Sequence, residues 1–546
     1  MTNGFSTLDY IVFGAYCLLI IGMGLFMSRE KKGHKKNAQD YFLASKSLPW
    51  WAIGASLIAA NISAEQTIGM SGSGFAIGLG IASYEWMAAI TLIIVAVFFL
   101  PIFLKKNIYT MPQFLQERYD DRVRTAMATF WLLVYVFVNL TSVLWLGALA
   151  LNTIMGVPVM WGIIGLALFA AVYSIYGGLK AVAWTDVVQV VFLVAGGFIT
   201  TILALKAIGG GDGVAAGFAE LLDKVPEKFN MIIKKGEIMI PDGSGGTKDA
   251  WMDLPGLSVV VGGLWIANIS YWGFNQYIIQ RGLAAKSVYE AQKGMVFAGF
   301  LKLLIPLIVV IPGIAAFLIN QNPADYGIEG VDAITRSDQA YPWLLHNFVP
   351  SGIKGIAFAA LVAAIVSSLA SMLNSTATIF TMDIYRNYFE KNVSQTKLVT
   401  VGRLTSLIAL IIAVVVAQPL LSGLDQAFQY IQEFTGFITP GVCVIFLFGL
   451  FWKRATSNAA LWGAGLSIPL SFIFMKFLPE VPFMNRWAYV FLILAAVMVI
   501  ISLLEGNLDH PKAVKFEKGL FHTQTSFKVW AFLLTAIVAA LYLVFW

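Results

Sequence analysis

The sequence predicts an all-α protein that crosses a lipid bilayer about fourteen times around two five-helix halves of opposite orientation, with broken helices at its centre. Three observations carry this: the hydropathy of the chain, the recurrence of apolar stretches long enough to span hydrocarbon, and a polar tetrapeptide that interrupts two of them.

Of 546 residues, 59% are hydrophobic and only 12% charged, with a mean hydropathy of +0.78. Soluble domains carry roughly 25% charge, so the composition is that of a polytopic membrane protein. At 1.5 Å rise per residue a crossing needs about twenty apolar residues. Stretches of that kind run at 8–27, 48–72, 80–104, 125–155, 158–177, 184–206, 256–279, 295–319, 351–382, 398–420, 425–452, 457–477, 487–505 and 528–546. The first has no basic residues before it and a basic segment after it, the pattern of a retained helix rather than a signal peptide.

The net charge of +6 sits in short clusters beside the spans, which suits membrane orientation and not a nucleic-acid partner. Arg29, Lys31, Lys32, Lys35, Lys36 and Lys46 follow the first span; Lys105, Lys106, Arg118, Arg122 and Arg124 follow the third; Arg386, Lys391 and Lys397 follow the ninth, and Lys453 and Arg454 the eleventh. All fall on the cytoplasmic side if both termini are outside. Residues 207–255 carry five lysines on the external side; they are Gly-rich and expected to be a solvated loop, a lid over the outer entrance being the sharper alternative.

Ala60-Asn61-Ile62-Ser63 and Ala267-Asn268-Ile269-Ser270 lie inside spans two and seven. Polar, poorly helix-favouring inserts are tolerated in hydrocarbon only where they line a protein-enclosed cavity. The two spans are five apart and so run in opposite directions, as inverted-topology repeats require, and unwound backbone at the midplane can hold a cation or orient a polar solute. This suggests a transporter.

A second constellation is polar and intramembrane: Gln66 after the first break, Glu85 in span three, Lys302 in span eight and Gln432 in span eleven. A central charge costs roughly 2.5–3.5 kcal/mol to insert, so each is expected to face a wet interior or a partner. Amides that both donate and accept, with one carboxylate and one ammonium, match a neutral polyol; Glu85 and Lys302 could equally be a structural ion pair. In span nine, Ala364, Ser367 and Ser368 share a helix face, where hydroxyls and a carbonyl offer uncharged hard oxygens to sodium, or simply pack. Cys17 and Cys443 lie in apolar runs, and no Cys/His spacing matches a metal or haem site, so no disulfide, metal centre or cofactor is expected. The four histidines, His34, His346, His510 and His522, fall in predicted loops without a nucleophile–base pair, which argues against an enzyme.

Asp40-Tyr41-Phe42-Leu43-Ala44 before Pro49-Trp50-Trp51, Tyr176-Gly177-Gly178 with Trp184-Thr185-Asp186, Gln280-Arg281 with Ala284-Ala285-Lys286, and Gly449-Leu450-Phe451-Trp452-Lys453 resemble the sodium/solute symporter family, above all its bacterial sodium/galactose and animal sodium/glucose branches. The resemblance runs from about Leu8 to Trp546. It implies the leucine-transporter-like fold: an extra helix and basic loop (1–47), a ten-helix core (48–452, with 48–206 and 256–452 as the repeats and 207–255 between them) and three further helices (453–546). It also implies a bacterial inner-membrane location and sodium-coupled import of a neutral hexose by alternating access, one sodium per sugar.

Residue by residue, the resemblance implies a sodium site of the carbonyls of Ala59, Ile62 and Ala364 with the hydroxyls of Ser367 and Ser368. It implies a sugar site of Asn61, Gln66, Glu85, Asn268, Lys302 and Gln432, an outer gate of Met70, Tyr84 and Phe428, and Tyr271 with Trp272 on the inner side. Asp186 is implied to guide sodium out. Ala88 departs from the galactose pattern, which has serine there. A symporter of an amino acid, proline or sialic acid would share the fold. A homodimer through the last three helices is a possible assembly, lipid contact the other use of their apolar surface.

Overall fold

The computed structural model describes residues 5–27, 29, 37–241, 246–327, 333–421, 427–506 and 508–546. Lys31, Lys32, His34, Lys35 and Lys36 lie outside the described residues. Helix α1 (Thr7–Met27) is followed by a second span in two parts, α2 (Trp50–Asn61) and α3 (65–76). Then come α4 (Leu79–Lys105), α5 (Asp121–Met155), α6 (Val159–Gly177) and α7 (Leu179–Ile208). The seventh span is divided twice: Ala250–Val261 meets α8 (Gly263–Phe274) at a 77° bend, and α9 (Gln276–Leu283) follows after Asn275. The remainder are α10 (Val288–Gln321), α11 (Ile353–Phe389), α12 (Gln395–Leu421), α13 (Ala427–Thr435), α14 (Thr439–Phe451), α15 (Ser457–Phe477), α16 (Phe483–Leu504) and α17 (Thr525–Val544).

Among the described residues, ten helices are long and apolar enough to cross a membrane. The other four predicted spans are α6, which is shorter, and the divided ones: α2 with α3, α8 with α9, and α13 with α14. Burial orders the helices radially. The apolar window of α11 is 94% buried and that of α10 72%, whereas α1, α15, α16 and α17 lie between 17% and 28% and so form the lipid-facing rim.

The two tetrapeptides do not adopt the same backbone, against the expectation of matched interruptions. In the first, α2 ends at Asn61 and Ile62 is extended (φ −78°, ψ 100°). Ser63 then starts α3: its Oγ accepts from Glu65 N at 3.0 Å, and its N–H and hydroxyl both donate to Gln66 Oε1 at 3.1 and 3.0 Å. Local side-chain bonds of this kind compete with the helical ladder and stabilise a break. In the second copy the helix runs through Asn268, whose Nδ2 donates back to Leu264 O at 3.2 Å, and loosens into a π-turn over Ser270–Phe274. The break falls at Asn275 (φ −77°, ψ 122°). The reason is one residue: three positions after Ser63 stands Gln66, and three after Ser270 stands Gly273, which has no side chain to take the serine N–H. The two broken spans remain tied at the ends beside Lys46 and Lys286, since Leu48 N donates to Ala284 O at 3.1 Å and Lys286 N to Leu48 O at 3.2 Å.

Residues 207–255 form a folded cap instead of a solvated loop. A helix (Gly213–Lys224) and a two-stranded hairpin, β1 (Met239–Pro241) with β2 (Thr247–Asp249), bury Met231, Ile233, Ile240 and Ala250. Lys228 closes the end of α3 by donating to Ala76 O at 2.6 Å and Phe75 O at 3.3 Å, with its ammonium 4.1 Å from the Phe317 ring centroid. Two of the basic residues expected as surface counter-charges are also buried. Arg118 donates to Gly449 O at 2.8 Å and Trp452 O at 3.0 Å, satisfying the end of α14, and Arg124 pairs with Asp383 at 2.7 Å. His346 lies in a short helix, Ala340–Phe348, and not in a loop.

Candidate functional site

The break after Asn61 opens α2 beside α4, α8, α10 and α13, and a cavity of about 50 Å³ forms there. Asn61, Gln66, Glu85, Asn268, Lys302 and Gln432, the six predicted sugar residues, all line it, together with Tyr84, Ala267, Tyr271, Trp272 and Phe428. Lys302 donates to both Glu85 Oε2 and Asn61 Oδ1, and its ammonium lies 4.9 Å from the Trp272 ring centroid. The ion pair is therefore formed and also faces the cavity, so its structural and binding readings coincide. Two charges leave water together at one wall, while the facing amides stay neutral. Ala88 is buried one turn after Glu85 and is not among the lining residues.

Aromatic rings close the cavity at both ends. Tyr84 and Phe428 meet edge to face with centroids 5.1 Å apart. Gly69 allows Phe428 this close approach, because a Cβ there would lie 2.9 Å from Phe428 Cβ. Met70 is buried beside the gate without lining the cavity. On the opposite side the Tyr271 hydroxyl accepts from Asn61 Nδ2 at 2.9 Å and shares a 2.6 Å hydrogen bond with Tyr277, and its ring packs edge to face on Trp272.

Of the predicted sodium ligands, Ser368 on α11 touches α2 just before its break. Ser368 Oγ donates to Ala60 O at 2.9 Å, between the expected carbonyls of Ala59 and Ile62, and Ala59, Ile62, Ala364, Ser367 and Ser368 are all buried. Gly178, at φ +68° with no room for a Cβ against Tyr41 O, begins α7 at Leu179, so Asp186 lies two turns inside. There it accepts from Ser367 Oγ and Ser56 Oγ, each at 2.5 Å, and faces Arg281 at 3.5 Å. Arg281 also donates to Ser56 Oγ at 3.1 Å, to Ser371 Oγ and to Tyr277 O. This donor set of neutral oxygens with one carboxylate behind it suits a monovalent hard cation.

Sequence reasoning assigned no role to Arg281, Ser56 or Ser371. Arg281 was placed beyond the end of span seven, whereas the break at Asn275 turns α9 back into the interior. Glu65 was missed as well; four residues after Asn61 in an apolar stretch, an acid is the signal that could have found it.

Comparison with known proteins gives the context of this geometry. Residues 41–466 match the profile described as the sodium:solute symporter family. The chain belongs to that family. It is similar to a sodium/glucose cotransporter of Vibrio parahaemolyticus, 55% identical over 100% of this chain and 99% of the relative. It is also similar to the human sodium/myo-inositol cotransporter 2, 32% identical over 87% of this chain and 71% of the relative. Among solved structures, a Na+-coupled sialic acid symporter in a substrate-bound outward-open state superposes with a TM-score of 0.78 at 23% identity, covering 91% and 98% of the two chains. At that identity the likeness shows the fold: an inverted-repeat, leucine-transporter-like symporter architecture, in a multi-pass membrane protein.

Proposed function

We propose that this family member is a sodium-coupled symporter importing a neutral hexose, galactose or glucose, with one sodium per sugar, through the core 48–452. The observation that carries the reading is the lining of one cavity by Asn61, Gln66, Glu85, Asn268, Lys302 and Gln432 with Tyr271 and Trp272. Amides, a carboxylate and an ammonium match hydroxyls that donate and accept, and the aromatic faces suit the C–H face of a pyranose. The relatives named for glucose and myo-inositol support a neutral polyol over an amino acid.

Sodium at Ala59, Ile62, Ala364, Ser367 and Ser368 joins α2 to α11 and so stabilises the broken geometry that presents Asn61 to sugar. Each ligand then tightens the other by the same factor. Tyr84, Phe428 and Met70 form the outer gate, Tyr271 and Trp272 the inner one, and Asp186 draws sodium away by its shared bond to Ser367. Both termini lie outside a bacterial inner membrane, and the inward potential adds about 2.3 kcal/mol per charge per 100 mV.

The experiment is uptake of labelled galactose and glucose into proteoliposomes with and without an inward sodium gradient, with Ser368→Ala and Gln432→Ala alongside. Sodium-driven hexose accumulation lost in both variants is expected. Sodium-driven uptake competed by proline or another amino acid and not by hexose overturns the sugar reading while keeping the fold.

A further inference from the structure

A second cavity, of about 80 Å³, adjoins the first and shares Gln66, Ala267, Tyr271 and Gln432 with it. We propose that it is a second subsite for the same neutral polyol, occupied beside the central pocket; this rests on the sugar reading above.

Its position follows from the chain. Asn275 lies past Tyr271 along the seventh span, and the next residue, Gln276, accepts from Met111 N at 2.8 Å, just beyond Lys105 and Lys106. The cavity therefore reaches past Tyr271 toward that basic end at Asn275, while Trp487, near the start of α16, lines its other side.

Its chemistry repeats that of the central pocket. Glu65, Asn139, Asn275 and Thr435 supply carboxylate, amides and hydroxyl, and Trp131 and Trp487 supply ring faces. Asn139 lacks what a hydroxyl would provide, and Glu65 beside it is a further acceptor. Asn139 is 6% exposed, and its Oδ1 has no hydrogen-bond partner. Glu65 is 6% exposed and, among the described residues, has no cation within ion-pair distance; its side chain accepts from Ser142 Oγ at 2.5 Å. Ser142 also donates to Asn139 O at 3.0 Å, which holds Glu65 and Asn139 side by side. An orphaned buried acceptor carries a cost that a ligand hydroxyl relieves. Both acceptors are set by irregular backbone: Glu65 opens the π-turn Glu65–Met70 and Asn139 lies in the π-turn Tyr135–Leu140. Such turns are frequent at functional sites.

The test counts sugar bound per protein by equilibrium dialysis of the full chain in sodium with tritiated galactose. The wild type is expected to bind two equivalents, the second at least tenfold weaker. Glu65→Gln and Asn139→Ala keep the first equivalent, which also shows that they are folded, and lose the second. One equivalent in the wild type at a hundredfold excess over the first Kd overturns the proposal, as does a second equivalent that survives in both variants. If Glu65→Gln removes a bound 22Na+ and leaves two sugars, the cavity is a cation site and the proposal fails. No bound galactose, glucose or myo-inositol in the wild type overturns the central sugar reading itself.

Discussion

Ser367 Oγ donates to Asp186 Oδ1 across 2.5 Å, so a predicted sodium ligand and the predicted exit residue are in direct contact inside the protein. Behind them Arg281 holds the second Asp186 oxygen and Ser56. In the proposed function Asp186 therefore acts through the Ser367 hydroxyl.

Asp186→Asn leaves the Arg281 guanidinium buried without its counter-charge, a loss of about 3–5 kcal/mol in folding stability for a broken buried pair. The sodium concentration for half-maximal uptake should rise roughly tenfold, equivalent to about 1.4 kcal/mol. Sodium titration of uptake and thermal unfolding of the purified variant check the two effects separately.

Glu85 and Lys302 serve both the fold and the pocket, and a double-mutant cycle separates the roles. Glu85→Gln and Lys302→Gln should each destabilise by about 3–5 kcal/mol, because each strands one buried charge. The double variant should recover most of that stability without recovering sugar binding. Recovery of both would make the pair purely structural.

Gly69→Ala places a methyl against Phe428 at the closed outer gate. Overpacking of this kind costs about 1–3 kcal/mol of the closed form. Uptake should fall about tenfold while sodium-dependent sugar binding from outside is retained, as read by transport and by filter binding on the same vesicles.

His510 lies in the segment joining α16 to α17, where its Nδ1 accepts from Lys512 N at 3.2 Å. Burial, then the charges of Arg118 and Lys512, holds its imidazole below the ordinary histidine value of 6.5. The folded state binds the proton less readily than the unfolded one. Its stability contribution is therefore complete above pH about 6.5 and is lost as the pH falls below that value. Tm should drop between pH 7.5 and 5.5, and His510→Gln, which keeps an acceptor without titrating, should drop less.

The legible part of this molecule is the part written as local pattern. Apolar runs of spanning length marked the helices to within a few residues, because in hydrocarbon the backbone has no partner but its own helix. Polar residues in those runs pointed to the central cavity, since a membrane-buried amide or charge must face an interior. Arg281 was not legible in that way: its place depends on where α8 breaks. Residues 207–255 read as solvated because their lysines were counted as exposed, whereas Lys228 is drawn down onto the carbonyl end of α3.

The sequence by itself determined a many-helix membrane protein with broken spans two and seven and a polyol-matched set of polar side chains, because composition and spacing are properties of the chain. Only the tertiary structure decided that the two breaks differ, that Asp186 contacts Ser367, a predicted sodium ligand, and that Glu65 and Asn139 share a second cavity. Each of those depends on contacts between helices far apart in sequence, and on single residues such as Gln66 and Gly273 that decide whether a serine N–H finds a side chain or stays in the helix.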